Sequence, residues 1–361
     1  MSARGIRTVS ISAIALVFSL SYARLTPDAA AASPTPESAC TTLTAAGTYQ
    51  LTKNLTVHGS CFAMAGSNIA LDLGKHSISG DGTGSAITDN GTNFSQIVIA
   101  NGKISNFLIG IDLTSSSEVS VDSVTSSGNS TDGIDVGGDS TLSSVTVDSN
   151  GGNGINAGGD STVVNVTAKD NKSESIVAGG DSLASHVTAT NGGSTGIDLG
   201  GDSLLDAAKI TGNKGAGVIA GGDSLVFSST ISNNGGDGAD VGGDSGVDDS
   251  KIQGNGGNGI SSNSGDNLIN GVTASNNGGD GIVISGEETL VTATTASHNK
   301  GDGIDLSAEF DSIALTTANS NGGDGVVTVC PSNVYALKAM HNPSNLVETS
   351  PPCVNLNNSA P

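Results

Sequence analysis

The stretch GIDVGGDSTLSSVTVDSNGGN, residues 133–153, is one unit of a repeat that occupies most of the chain. Its GGDS motif returns every 21 residues, and so does its asparagine, except that Gly192 stands at one asparagine position. With spacings of 21 to 23 residues, the asparagine column is Asn106, Asn129, Asn150, Asn171, Asn213, Asn234, Asn255, Asn277, Asn299 and Asn321. Such strict repetition predicts a solenoid, in which equivalent residues stack on each other.

Apolar residues alternate with polar ones inside each unit, as in Ile134 and Val136 or Val145 and Val147. A period of two predicts short strands. Each unit then has two or three strands separated by a GGDS corner and an Asn-Gly-Gly corner, where glycine would supply the positive φ of a tight turn. Units of 21–23 residues, stacked ~4.8 Å apart, predict an all-β parallel β-helix of about 11–12 triangular coils.

The charge balance excludes one class of partner. The formal net charge is −22, and all three arginines precede residue 33. Ten lysines, which look scattered in the sequence, face more than thirty carboxylates. Nucleic-acid recognition relies on clustered Lys and Arg side chains, so we expect no nucleic-acid partner.

The ends of the chain differ from the repeat. Residues 1–32 combine basic residues, an apolar run over 11–20 and small residues at 29–32, which predicts a signal peptide. The run is too short to cross a bilayer. We assign residues 33–50 to an N-terminal lead-in and cap, 51–329 to the β-helix and 330–361 to a C-terminal cap and tail. The protein is therefore expected to be secreted, extracellular or periplasmic, without a membrane span.

Four cysteines lie near the two ends of the predicted stack. Eleven coils would separate the ends by roughly 50 Å, so no disulfide could join them. The remaining pairs are Cys40 with Cys61 and Cys330 with Cys353. Each would close a loop of about twenty residues and contribute ~3 kcal/mol to the stability of one end.

The repeat resembles a known family. Residues 149–155 (SNGGNGI), 276–282 (NNGGDGI) and 71–80 (LDLGKHSISG) are similar to the right-handed parallel β-helix proteins of the pectin-lyase-like superfamily, over about residues 45–329. The resemblance implies a single right-handed parallel β-helix. It does not imply one activity, because the superfamily includes lyases, hydrolases, epimerases, tailspikes and non-catalytic proteins.

The catalytic residues of these enzymes do not carry over. Related pectate lyases use an arginine base, which residues 33–361 lack. Asp248-Asp249 matches the paired aspartates of polygalacturonases, but the accompanying Asn-Thr-Asp and Arg-Ile-Lys motifs are missing, as is the Asp-Pro-His-Glu motif of mannuronan epimerases.

The aspartates of the GGDS motifs form one candidate site. Stacked carboxylates repel, so each must be compensated. Either each carboxylate accepts hydrogen bonds from its own corner in an Asx turn, or calcium lies between the coils as a cofactor. The metal candidates are Asp139, Asp160, Asp181, Asp202, Asp223 and Asp244.

A row of threonines is predicted on an outward strand face, which suits either ordinary strand propensity or an ordered water lattice of the ice-binding kind. Lysines interrupt it twice. The row is Thr125, Thr146, Thr167, Thr188, Lys209, Thr230, Lys251, Thr273, Thr295 and Thr317.

A third candidate is a charged patch, predicted to lie on one outward strand across three coils. Asp206 and Asp248 would be ~9.6 Å apart along the axis, near the upper limit for an inverting carboxylate pair, and the lysines could bind an acidic sugar. The patch residues, which are also the catalytic candidates, are His186, Asp206, Lys209, Asp248, Asp249 and Lys251.

These observations predict an exported, non-catalytic β-solenoid that binds or organises material at a surface or in a matrix and contacts polysaccharide. The alternative is a polysaccharide lyase, hydrolase or uronan epimerase that uses the charged patch. An active site needs insertions that wall a groove, and from Gly133 to Ile260 no coil has an inserted residue.

Overall fold

The computed structural model describes residues 33–349 and 353–359, in which every regular element is a β-strand. The predicted signal peptide lies outside the described residues. A 15-stranded sheet and a 28-stranded sheet contain all strands but the fold has three sides, because most coils contribute two consecutive strands to the larger sheet. All strand pairs are parallel, and no helix in the described residues could span a membrane.

We call the 15-stranded sheet face 1. Its strands are Thr42–Leu43, Phe62–Met64, Ser85–Thr88, Ile109–Leu113, Ile134–Val136, Ile155–Ala157, Ile176–Ala178, Ile197–Leu199, Val218–Ala220, Ala239–Val241, Ile260–Ser262, Ile282–Ile284, Ile304–Leu306, Val326–Val329 and Leu346–Thr349.

The first strand column of the larger sheet is face 2. Its strands are Thr35–Glu37, Gly47–Leu51, Ile69–Asp72, Thr141–Ser143, Thr162–Val164, Leu183–Ser185, Leu204–Asp206, Leu225–Phe227, Gly246–Asp248, Leu268–Asn270, Leu290–Thr292, Ser312–Ala314, Asn333–Tyr335 and Val354–Leu356.

The second column is face 3. Its strands are Leu55–Thr56, Ser77–Ser79, Thr146–Asp148, Thr167–Lys169, Thr188–Thr190, Lys209–Thr211, Thr230–Ser232, Lys251–Gln253, Thr273–Ser275, Thr295–Ser297, Thr317–Asn319 and Lys338–Met340. Two long strands, Ser95–Ser105 and Ser117–Ser127, cover faces 2 and 3 together.

The register confirms the parallel β-helix, with equivalent residues one repeat apart. Ile134 pairs with Ile155 on face 1, and Thr146 pairs with Thr167 on face 3. Face 1 has 15 strands in the described residues, so the coils outnumber the predicted 11–12. The difference arises because coils continue through both end segments, from Thr42–Leu43 to Leu346–Thr349.

The interior is filled by the alternating apolar residues that the sequence pattern predicts. Ile134, Val136, Leu142, Val145 and Val147 of one coil are all buried. The largest buried side chains, such as Phe62 and Phe107, lie in the N-terminal coils. Small branched residues suit the narrow interior of the other coils, where each stacks on its equivalent in the next coil.

The corners differ from the prediction in which residues adopt positive φ. In the coil that begins at Gly133, positive φ occurs at Asp139, Ser144 and Ser149, one at each corner, whereas neither Gly137 nor Gly151 has it. These glycines are needed for close approach, since a Cβ on Gly137 would lie 2.0 Å from the carbonyl oxygen of Ser116. The prediction that corner glycines supply the positive φ was therefore wrong for these positions.

The asparagine column that the sequence predicts forms a hydrogen-bonded ladder at the corner between faces 3 and 1. The Asn213 amide donates to Asn234 Oδ1 at 2.9 Å, and Asn234 donates to Asn255 Oδ1 at 3.0 Å. The same Oδ1 of Asn234 also accepts the backbone N–H of Asn213. Asn106 was wrongly placed in this ladder: it is exposed, and the buried Phe107 occupies the interior position below Asn129.

A second ladder uses the serine of the GGDS motif. Ser161 Oγ accepts the N–H of Ser140, and Ser182 Oγ accepts the N–H of Ser161. The row continues through Asn267, Thr289 and Asp311, all buried. In GGDS the serine side chain thus bonds to the neighbouring coil, whereas the aspartate bonds to it only through its backbone N–H and its side chain is exposed.

Both predicted disulfides are present. Cys40 bonds Cys61 with a Cα–Cα distance of 4.5 Å, and Cys330 bonds Cys353 with a Cα–Cα distance of 5.0 Å. Each links neighbouring coils at one end of the stack, where there are fewer neighbours to hold the strands.

Candidate functional site

The predicted charged patch does not lie on one strand. Asp206 and Asp248 project from face 2, and Phe227 lies between them in the register. The Asp206 carboxylate accepts a hydrogen bond from Ser185 Oγ at 3.1 Å, and that of Asp248 accepts one from the Asn270 amide at 2.7 Å. The two carboxylates are therefore held by their own face and separated by an aromatic ring.

The other patch residues occupy different positions. His186 and Asp249 have positive φ at the corner between faces 2 and 3, whereas Lys209 and Lys251 project from face 3 with Thr230 between them. The prediction of one shared strand was wrong because this corner turns the chain between Asp206 and Lys209. The carboxylates and the lysines consequently face different directions.

All ten lysines lie on face 3 or at its two corners. Five project from the face itself, two precede it and three follow the asparagine ladder. On the face they are Lys103, Lys169, Lys209, Lys251 and Lys338; at the corners they are Lys53, Lys75, Lys172, Lys214 and Lys300. The residues that looked scattered in the sequence are gathered along one side of the coil stack.

Face 3 presents two outward rows of mainly hydroxyl residues beside these lysines. The first is the predicted threonine row, and register pairs such as Thr125 with Thr146 and Thr273 with Thr295 confirm its alignment. The second row runs through Thr190, Thr211 and Ser232. Within the described rows the one carboxylate is Asp148, and Lys169 forms an ion pair with it at 2.9 Å. Face 3 is thus cationic on an anionic chain.

Two shallow hollows adjoin face 3. One is lined by Lys172 and Lys214 together with Asp170 and Asn191, at the corner towards face 1. The other is lined by Lys75 and Lys103 together with Asn101 and Thr125, at the corner towards face 2. Each hollow therefore brings two amines to the edge of the hydroxyl rows. Lys172 and Lys214 belong to coils two apart, whereas Lys75 and Lys103 belong to neighbouring coils.

Carboxylates gather on face 1 and its corner with face 3. Asp112 and Asp135 are register partners, and Asp132 lies just before Asp135. Burial, followed by the negative charges of Asp132 and Asp112, raises the pKa of Asp135 to about 7. Further along the stack, burial also raises the pKa values of Asp280 and Asp302. Carboxylates therefore dominate face 1, whereas lysines and carboxylates share the corner between faces 3 and 1.

The predicted calcium residues, Asp139 and its five equivalents, are exposed at the corner between faces 1 and 2 with positive φ. No hydrogen bond to their carboxylates is present among the described residues, so the Asx turn does not account for them. Aspartate tolerates this backbone region better than most residues. No described group of three or more His, Cys, Asp or Glu side chains is arranged to hold a metal, and calcium binding stays a prediction.

Comparison with known proteins concerns the fold. Residues 195–337 match the family model described as "Right handed beta helix region". No curated protein gives a significant sequence match.

Three solved structures are similar to this one. The A-module of the Azotobacter vinelandii mannuronan C-5 epimerase AlgE6 is 16% identical with a TM-score of 0.51, over 85% of this chain and 92% of the module. The AlgE4 A-module of the same organism gives 14% and 0.50, over 85% and 91%. The Dettilon tailspike protein gives 13% and 0.51, over 80% of this chain and 62% of the tailspike. With its parallel register, this chain is a right-handed parallel β-helix repeat protein, as the sequence resemblance implied.

Proposed function

We propose that this chain is an exported, non-catalytic β-helix that binds an acidic polysaccharide along face 3. The observation that carries the proposal is the gathering of all lysines along the two hydroxyl rows. Lysine ammonium groups donate charge-assisted hydrogen bonds to carboxylates or sulfates, and threonine and serine hydroxyls both donate to and accept from sugar hydroxyls.

The distribution of charge favours an anionic ligand on this face and on no other. Face 3 has five lysines and one aspartate in its described outward rows, and that aspartate is already paired with Lys169. Face 1 carries Asp112 and Asp135, which would repel the same ligand. The epimerases with a similar fold are named after mannuronan. Mannuronan is a polymer of a uronic acid and so belongs to the proposed ligand class.

Export is part of the proposal. Two disulfides suit an oxidising compartment outside the cytosol, and residues 1–32 have the pattern of a signal peptide. The absence of a recognised catalytic set, together with the separation of Asp206 from Asp248 by Phe227, supports a non-catalytic role.

The test measures binding of a fluorescently labelled polyuronate to the purified protein. Replacing Lys209 and Lys251 with Gln is expected to weaken binding by roughly tenfold for each lysine, since each removes a charged hydrogen bond. Val177→Asp with Val283→Asp changes the net charge by the same amount on face 1 and serves as the control. Equal weakening in both double variants would show that total charge, and not face 3, determines binding.

A second measurement addresses catalysis. The protein is incubated with a panel of uronic-acid polymers, and the absorbance of unsaturated products and the reducing ends are followed. No product is expected. Product formed by wild-type protein and lost in Asp206→Asn or Asp248→Asn would replace the non-catalytic proposal with the lyase or hydrolase alternative, while leaving binding on face 3 open to the first test.

A further inference from the structure

Exposed large apolar side chains concentrate on one side of the coil stack. Seven are exposed in the described residues, and six of them belong to face 2 or its corners. Those six are Leu268, Phe310, Leu315, Tyr335, Val354 and Leu356. The seventh, Leu108, lies at the opposite corner, between faces 3 and 1.

A row of half-buried leucines extends this surface through the middle of the chain. Leu183, Leu204 and Leu225 are successive register partners, and Leu268 and Leu290 continue the row after Gly246. Leu225 leans over the glycine, because a Cβ there would lie 2.8 Å from Leu225 Cδ1. The apolar surface is therefore continuous across the one position without a side chain.

The second outward row of face 2 adds Val164, Phe227 and Ala314 to Tyr335 and Leu356. No lysine projects from either described row. From Val164 to Leu356 this outward row contains two carboxylates, Asp206 and Asp248. Both accept hydrogen bonds from other residues of face 2. The second row is mixed, because Ser185, Asn270 and Thr292 also belong to it, but the leucine row beside it is apolar from Leu183 to Leu290. Exposed apolar surface of this length marks an interaction site.

We propose that face 2 packs against face 2 of a second copy of this chain. Ten coils at ~4.8 Å and a width of about five residue steps give a projected area of about 700 Å², close to the ~800 Å² per partner of a standard stable interface. A flat sheet offers no groove for a helix or loop, but another flat sheet can pack on it. The net charge of −22 disfavours an anionic membrane as the occupant.

The arrangement leaves both copies of face 3 in solvent. The packed sides are the least charged ones, while the lysine rows and the carboxylates of faces 1 stay in water. This inference stands independently of the proposed ligand, because it rests on face 2 alone.

Sedimentation velocity over a range of concentrations tests the proposal. Wild-type protein is expected to sediment as a dimer. Leu268→Lys combined with Tyr335→Lys places two ammonium groups in the interface of each copy and is expected to raise the dimer dissociation constant at least a hundredfold.

The chain offers a matched control. Leu108 is 43% exposed and Leu268 is 44% exposed, so Leu108→Lys makes the same chemical change off face 2 and should leave the dimer intact. Unfolding midpoints of all variants check that the coils remain folded. A monomeric wild-type protein at every concentration, including one that binds lipid vesicles instead, would overturn the proposal, and so would a dimer that the face 2 variant does not weaken.

Discussion

At the level of single residues, Asp311 is a carboxyl group buried in the interior without a full set of hydrogen bonds. It is fully buried in the serine row, where Oδ1 accepts the N–H of Thr289 at 2.9 Å and Oδ2 has no partner among the described residues. Burial, with a contribution from Glu287, raises its pKa to about 7. Between about pH 4 and pH 7 the carboxyl group is therefore protonated in the folded protein but ionised in the unfolded chain.

We expect the stability of wild-type protein to fall as pH rises from about 4 to about 7. The folded state holds the proton more tightly than the unfolded state there, so unfolding releases it and a higher pH favours unfolding. The full effect is roughly 4 kcal/mol. Asp311→Asn should remove this contribution and leave the smaller pH dependence that Asp135 causes, because an amide cannot ionise. Asn267 already fills the same row, with its Oδ1 accepting from Ser245.

Chemical unfolding of both proteins at pH 5 and pH 8 provides the measurement. Asp266→Asn, an exposed change in the corner next to that row, is the control and should keep the wild-type pH dependence. A wild-type stability that does not change between these pH values would contradict the protonated state of Asp311.

At the level of elements, two departures from the repeat, at Gly192 and Ser175, are in contact and compensate each other. Gly192 interrupts the asparagine ladder, and Ser175 replaces the glycine that precedes the face 1 strand in the adjacent coil. Elsewhere the asparagine amide packs against that glycine, as Asn171 does against Gly154. Here the Ser175 hydroxyl takes the space and bonds Asn213 Oδ1 at 3.3 Å.

The pair predicts a coupled response to mutation. Gly192→Asn alone should destabilise the protein by about 1–3 kcal/mol, because the new Cβ would lie 2.7 Å from Ser175 Oγ. Adding Ser175→Gly should recover most of that loss, since an uninterrupted ladder then runs from Asn129 onwards. A double-mutant cycle in denaturant measures the coupling.

The coupling energy should exceed 0.5 kcal/mol in favour of the double variant, as expected for residues in contact. Ser229→Gly, in the corner between faces 2 and 3, is the control partner and should show additive behaviour with Gly192→Asn. Additivity for both pairs would mean that the two irregularities arose independently.

At the level of the whole molecule, equal coils should be interchangeable. Deleting residues 134–154 removes 21 residues and joins Gly133 to Ile155, which restores the Gly-Ile junction and the register of all three faces. We expect a folded protein with roughly 15 kcal/mol less unfolding enthalpy, the share of 21 residues, since the stability of stacked repeats is approximately additive.

Scanning calorimetry of the variant measures this enthalpy. Deleting residues 134–144 alone is the control: half a coil cannot pass around three corners, so strand pairing with both neighbours should fail and the transition should broaden or disappear. Equal behaviour of the two deletions would contradict the register as the organising constraint.

The repeat predicted the parallel coils, the asparagine ladder and both disulfides, because each follows from the spacing of equivalent residues. It could not locate the corner between faces 2 and 3, where the positive φ falls on Ser144, Asn165, His186, Ala207 and Ser228 in turn. These residues share no chemistry, so nothing in the sequence marks the turn. Two strands were merged into one as a result, and Asp206 and Lys209 were placed on the same face.

For the same reason, the sequence did not predict which face each lysine occupies. One sign was available: Lys172, Lys214 and Lys300 each follow a ladder asparagine directly. Asn106 shows the reverse error, since its residue type fits the ladder but the register gives the interior position to Phe107. Residue type therefore predicts which residues stack on each other only where the spacing to the neighbouring coils is regular.

Between Gly133 and Ile260 no inserted residue closes face 3. A polymer bound along this part of face 3 would contact it through internal sugars, so the proposed recognition requires neither terminus of that polymer. Avidity should grow with each added sugar until the ligand spans about 60 Å, the length of the fourteen stacked strands. A longer polysaccharide would not bind one protein molecule more tightly, but several protein molecules could bind to it next to each other.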